Sequence, residues 1–132
     1  MERAFLDANV LFSASRDPQS RLLRIWSVPS VEVLTSAYAV AEVRRNLEGE
    51  EHGKRLESLI ARTRLVAEPS PPSIPEGVVL RDKDTPILAA ALASGATYLV
   101  TGDSRDFGRY FGKAIGSLRV LPPSDFLAIH DA

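Results

Sequence analysis

Four carboxylates stand where a metal–oxygen site could be built. Asp7 closes the short apolar run Ala4-Phe5-Leu6, and Asp103 comes two residues after the run Tyr98-Leu99-Val100-Thr101. Asp84 stands just before Pro86-Ile87-Leu88, in a connection that leads into a helical pattern. Glu42 lies inside a helical stretch, where Tyr38, Glu42 and Asn46 are spaced four apart and share one face. Hard divalent cations take oxygen ligands, and Mg²⁺ combines a carboxylate or two with water and substrate phosphate. Carboxylates packed together repel unless a cation or a proton neutralises them. Taken singly, each acid has a plainer role. Aspartate is a preferred helix N-cap, and Asp7, Asp84 and Asp103 all precede helices. Glu42 alone is an ordinary solvated helix residue, and Asp17 and Asp125 read as turn and cap residues.

The composition narrows the chemistry to such groups. The 132 residues contain no cysteine, which excludes disulfides, thiolate zinc sites, iron–sulfur clusters and cysteine nucleophiles. The two histidines, His52 and His130, are far apart in sequence, which argues against a zinc site built on paired histidines. Apolar residues at 45% and charged residues at 25% are ordinary for a globular chain, and the length suits one domain over residues 1–132. No apolar run approaches the roughly 20 residues of a membrane-spanning helix, and Met1-Glu2-Arg3 leads straight into the first strand, so the expected location is cytoplasmic. The net charge of −1 gives no basic footprint, yet thirteen of the sixteen basic residues are arginines, the side chain suited to bidentate phosphate contact. Acids collected at one site would leave the remaining surface positive on balance.

The elements that must position these acids alternate between strand and helix. Ala4-Phe5-Leu6, Val31-Glu32-Val33-Leu34, Leu65-Val66-Ala67, Tyr98-Leu99-Val100-Thr101 and Leu118-Arg119-Val120-Leu121 read as strands. Helices are expected over Arg21 to Val28, about Ala37 to Leu47, roughly Lys54 to Arg64, from Pro86 to a stop at Gly95, and from Ser104 to Phe111. Gly49-Glu50-Glu51-His52-Gly53 reads as a spacer, the proline-rich Glu68 to Glu76 as a stiff loop, and Ser124 as the cap of a short last helix. This alternation argues for a mostly parallel sheet covered on both faces. Right-handed crossovers put every strand-to-helix turn at one edge, where open sheets bind ligands.

Phe5-Leu6-Asp7-Ala8-Asn9-Val10-Leu11 resembles the opening motif of PIN domains, and Tyr38-Ala39-Val40-Ala41-Glu42-Val43 is similar to the second. Asp84-Thr85-Pro86-Ile87-Leu88-Ala89-Ala90-Ala91 resembles the third motif and Leu99-Val100-Thr101-Gly102-Asp103 the fourth. Four motifs in order, spanning nearly the whole chain, are far more specific than any one. The resemblance implies a three-layer α/β/α sandwich with a mostly parallel central sheet, and a Mg²⁺- or Mn²⁺-dependent endoribonuclease. Many small members are VapC-type toxins of toxin–antitoxin pairs, so RNA, an antitoxin protein and a second copy in a homodimer are the expected partners. The family's acidic quartet carries over to Asp7, Glu42, Asp84 and Asp103, with Asn9 and Asp106 in supporting positions. Asp84 is preferred to Asp82 for its spacing to Ile87 and Ala91.

In the reaction so implied, Asp7 and Asp103 hold the principal ion, and Glu42 and Asp84 complete the site. Thr101 and Ser104 would bond carboxylates or phosphate, and Arg44, Arg45, Arg105 and Arg109 are the candidates for gripping the RNA backbone. Trp26 and Phe111 are candidates for an apolar dimer patch. Two rivals stand beside this reading. One is a catalytically silent PIN-fold module that only binds RNA or a partner. The other is an aspartate-based phosphatase using Asp7 as nucleophile, although the second acid such enzymes want two residues later is Asn9 here, and Pro122-Pro123 stands where a receiver domain needs lysine.

Overall fold

The computed structural model describes residues 1–131. A six-stranded sheet runs in the order β3-β2-β1-β4-β6-β5, with β1 (Glu2–Leu6), β2 (Val31–Ser36), β3 (Arg64–Val66), β4 (Tyr98–Val100), β5 (Ala114–Ile115) and β6 (Leu118–Leu121). Every pairing is parallel except β5 with β6. The helices are α1 (Ala8–Arg16), α2 (Ala37–Arg45), α3 (Glu50–Ile60), α4 (Thr85–Ala93), α5 (Ser104–Phe107) and α6 (Pro123–His130). The mostly parallel sheet flanked by helices is the architecture expected from the alternating pattern.

The central strands are buried on both faces, which is why they read as unbroken apolar runs. Ala4, Phe5, Leu6, Leu99 and Val100 have no exposed surface. Chain order runs outward from β1 in both directions, through β2 and β3 on one side and β4 and β6 on the other, so the topological switch point lies between β1 and β4. The register pairs Leu6 with Val100. The next residues along each strand, Asp7 and Thr101, therefore emerge side by side at the carboxyl edge.

Several elements differ from the sequence expectations, each for a local reason. Arg21–Ser27 is a 3₁₀-helix rather than an α-helix, capped by the Ser20 hydroxyl accepting from the Leu22 amide. The expected spacer Glu50-Glu51-His52-Gly53 is the first turn of α3. Gly49, at φ +98°, breaks the chain before it, and two glutamates favour the positive end of the helix. His52 buries itself in that turn, with 1% of its surface exposed. The last helix begins at Pro123, so Ser124 lies inside its first turn rather than capping it. The segment expected as one helix from Ser104 to Phe111 splits into α5 and a 3₁₀ turn, Gly108–Tyr110. The two-residue β5 was too short to stand out by pattern. Trp26 and Phe111 are half-buried against the core, with the Trp26 indole donating to Thr63 Oγ1 at 2.9 Å, so neither forms an exposed apolar patch.

A candidate metal centre at the carboxyl edge

Asp7 is 4% exposed at the end of β1, and its carboxylate is fixed by three donors. The Ala8 amide donates to Oδ1 at 2.7 Å, and the Thr101 hydroxyl and the Asn9 amide donate to Oδ2 at 2.8 and 3.2 Å. Asn9 Oδ1 in turn accepts from the Gly102 amide at 2.7 Å, which ties the end of β1 to the loop after β4. A side chain on residue 102 would place its Cβ 3.2 Å from that Asn9 oxygen, so the close approach favours glycine. Burial pushes the Asp7 carboxyl above its ordinary range, against the Thr101 and Ala8 hydrogen bonds, and the nearby Asp103 charge pushes the same way.

Asp103 follows directly. Its amide donates to Thr101 Oγ1 at 3.1 Å, and its Oδ1 accepts from the Arg105 and Asp106 amides, both at 3.1 Å. Capping thus engages one oxygen. Asp84 is the residue before α4, but its side chain makes no capping hydrogen bond. The whole residue is 4% exposed, and its Oδ2 is buried with no hydrogen-bond donor in reach. Oxygens of Asp84, Asp103 and Asp106 lie within 4.8 Å of one another. Burial first, and then the neighbouring Asp106 carboxyl, push Asp84 up to about 7. Asp106 is held below the usual carboxylate range by its neighbour Asp84 and by accepting from Arg81, whose Nε lies 2.7 Å away. Ionised, Asp84 has no donor for its Oδ2.

Asp7, Asp84 and Asp103 open onto a cleft of about 390 Å³ whose lining also includes Tyr38, Glu42 and Lys83. Glu42 reaches it from α2, outside the close trio and 3.5 Å from the Arg45 guanidinium. The four acids picked from the sequence thus face one cleft, while the tightest oxygen cluster replaces Asp7 and Glu42 with Asp106. Asn9 and Thr101 are in the network described above. Ser104 is exposed at the start of α5, and Asp82 is exposed outside the cleft lining. None of the four nominated arginines lines the cleft: Arg44 forms an ion pair with Glu57 at 3.0 Å, Arg45 lies by Glu42, and Arg105 and Arg109 are exposed elsewhere.

Two cations escaped the sequence reading. Lys83 places its ammonium 3.6 Å from Asp84 Oδ1 and 3.9 Å from Asp103 Oδ2, and Arg81 holds Asp106. The signal was their place in Arg81-Asp82-Lys83-Asp84, where alternating charges look like an ordinary solvated loop. An all-oxygen donor set with one buried, partnerless carboxylate oxygen fits a hard cation such as Mg²⁺ or Mn²⁺ and lacks the nitrogen or sulfur ligands usual for zinc.

Comparison with known proteins agrees with this architecture. Similar folds occur in the crystal structure of VapBC2 from Rickettsia felis bound to a DNA fragment from their promoter (TM-score 0.65, 15% identity, covering 91% of this chain and 98% of that one). They also occur in FitAcB from Neisseria gonorrhoeae (TM-score 0.54, 22% identity, covering 92% and 98%). No curated protein matches the sequence. The family model for the PIN domain matches residues 3–105, from the first strand through the loop that carries Asp103. The chain belongs to the PIN domain family.

Proposed function

We propose that the protein is a metal-dependent endoribonuclease that hydrolyses RNA phosphodiester bonds with the acids of this cleft. The observation that carries the proposal is Asp84 Oδ2, a buried oxygen without a donor, set among the carboxylates of Asp103 and Asp106. A buried group left unsatisfied costs roughly 1–3 kcal/mol, more if charged, so a fold that keeps one is supported by a ligand that completes it. Asp7, Asp84 and Asp103 would hold Mg²⁺ or Mn²⁺, with Glu42 and Asp106 completing the oxygen set. When bound, the ion supplies Lewis-acid polarisation of the phosphoryl group and a lowered pKa for the attacking water.

The chain's own residues do the positioning. Thr101, Asn9 and the Ala8 amide fix the orientation of the Asp7 carboxylate at the switch point. The Asp103 cap orients one oxygen inward by engaging the other with α5. The Tyr38 hydroxyl donates to the Lys83 carbonyl at 2.7 Å and so anchors the loop that presents Asp84. The resemblance to VapC-type chains, with the fold shared with VapBC2 and FitAcB, supports a cytoplasmic toxin held by an antitoxin partner. Among the described residues, no helix is long and apolar enough to cross a membrane.

Incubation with mixed RNA tests the reading: cleavage in Mn²⁺ that stops in EDTA is expected. Intact RNA under both conditions, with RNA still bound, would favour the silent binding module instead.

A further inference from the structure

Lys83 is the one basic side chain among the described residues that lines the cleft. Its backbone is held by Tyr38, while its side chain is 51% exposed, so the stem is anchored and the tip can move. Arg81 neutralises Asp106, and the Lys83 ammonium straddles Asp84 and Asp103. The segment 81–84 thus brings to the site one acid and two cations. A divalent ion seated among the Asp84 and Asp103 oxygens would meet that ammonium at close range, and like charges so near one another repel.

We propose that Lys83 is a tethered cation that stands in for the divalent ion in the metal-free protein. When the ion binds, it is displaced from Asp84 and Asp103 and grips a phosphate of the RNA strand. The first step rests on the geometry of Lys83 and on an ion binding at Asp84 and Asp103; the second rests also on the nuclease reading. Among the described residues no arginine lines the cleft itself: Arg44 and Arg45 are engaged with Glu57 and Glu42, Arg81 with Asp106, and Arg105 and Arg109 lie outside the lining. A compact ammonium on a flexible stem also suits exchange between carboxylate and phosphate oxygens better than a planar guanidinium fork.

Calorimetric titration of Mn²⁺ into the wild type, Lys83→Met and Lys83→Arg tests the first step without RNA. Lys83→Met should bind Mn²⁺ roughly three- to tenfold more tightly, the worth of one partly screened ion pair, while Lys83→Arg gains nothing. Equal or weaker binding in Lys83→Met overturns the proposal. Binding of a phosphorothioate RNA oligonucleotide across a salt series in Mn²⁺ tests the second step. The slope of log affinity against log salt should fall by about 0.7 in Lys83→Met, one single-strand phosphate contact, and persist in Lys83→Arg. An unchanged slope overturns phosphate contact. RNA that fails to bind the wild type at any salt contradicts the nuclease reading and this second step together, and leaves the ion competition to be decided by the titration.

Discussion

The molecule buries two polar clusters, and they are built on opposite plans. In the seam between α1 and α3, His52 accepts from the Glu48 amide through Nδ1 at 3.0 Å, which leaves Nε2 to donate to Ser15 Oγ at 2.9 Å. The Ser15 hydroxyl donates to the Leu11 carbonyl at 2.7 Å, and Arg55 donates to the carbonyls of Ser15 and Arg16, closing the end of α1. Phe12 packs edge-on against the imidazole at 4.8 Å. Every polar group named there has a partner. At the carboxyl edge, Asp84 Oδ2 has none, and neighbouring acids crowd it. Burial of polar groups is common to both regions; what separates a structural cluster from a candidate site is the incomplete satisfaction of one of them.

Mutations should separate the two clusters, and the largest effect expected is on catalysis. Asp84→Asn should lower metal-dependent RNA cleavage by on the order of 100-fold, whereas Asp82→Asn, on the exposed side of the same loop, should retain most activity. Equal losses in gel-based cleavage assays would reject the distinction. In the seam, His52→Ala leaves the Glu48 amide without its acceptor and opens space beside Phe12. It should cost roughly 1–3 kcal/mol in urea unfolding, with the Mn²⁺-induced stabilisation unchanged. A His52→Ala protein as stable as wild type would show that the satisfied network contributes nothing.

A smaller effect concerns pH. The folded metal-free protein holds a proton on Asp84 up to about 7, while the unfolded chain releases it near 4. The folded state therefore binds the extra proton between these values, and this contribution to stability, full below about pH 4, is lost as pH rises toward 7. Unfolding of wild type and Asp84→Asn in EDTA across this range should show a decline that is flatter in the variant. Identical pH profiles would remove Asp84 as the source.

Much of the candidate site was legible because strand ends and helix starts are marked in the sequence itself. Asp7 and Asp103 each follow a buried apolar run, and Glu42 shares a helix face with Tyr38 and Asn46. All four nominated acids line the cleft. The finer grouping was hidden because it depends on register and on loop geometry. Pairing of Leu6 with Val100 brings Asp7 to Thr101, and the turn into α5 brings Asp106 to Asp84, neither of which a linear pattern encodes. Lys83 and Arg81 were missed for a related reason: a charged loop looks solvated until the fold shows which charges face one another. The boundary errors at α3 arose where His52, polar by type, is a core residue by contact.

Thermal melts of the wild type and Asp103→Asn, each with EDTA and with Mn²⁺, test most directly whether the acidic edge is a metal centre. An ion that binds only the folded chain stabilises it by about 2.7 kcal/mol at 100 times its dissociation constant. For a domain of this size, that should raise the wild-type melting temperature by several degrees. Asp103→Asn should lose the shift. Without metal, its melting temperature should be close to that of the wild type, because removing a like charge from the cluster offsets the weakened α5 cap. If instead Mn²⁺ leaves the wild type unshifted, and Asp103→Asn is simply less stable under both conditions, the acid is a helix cap and the metal-centre account is contradicted.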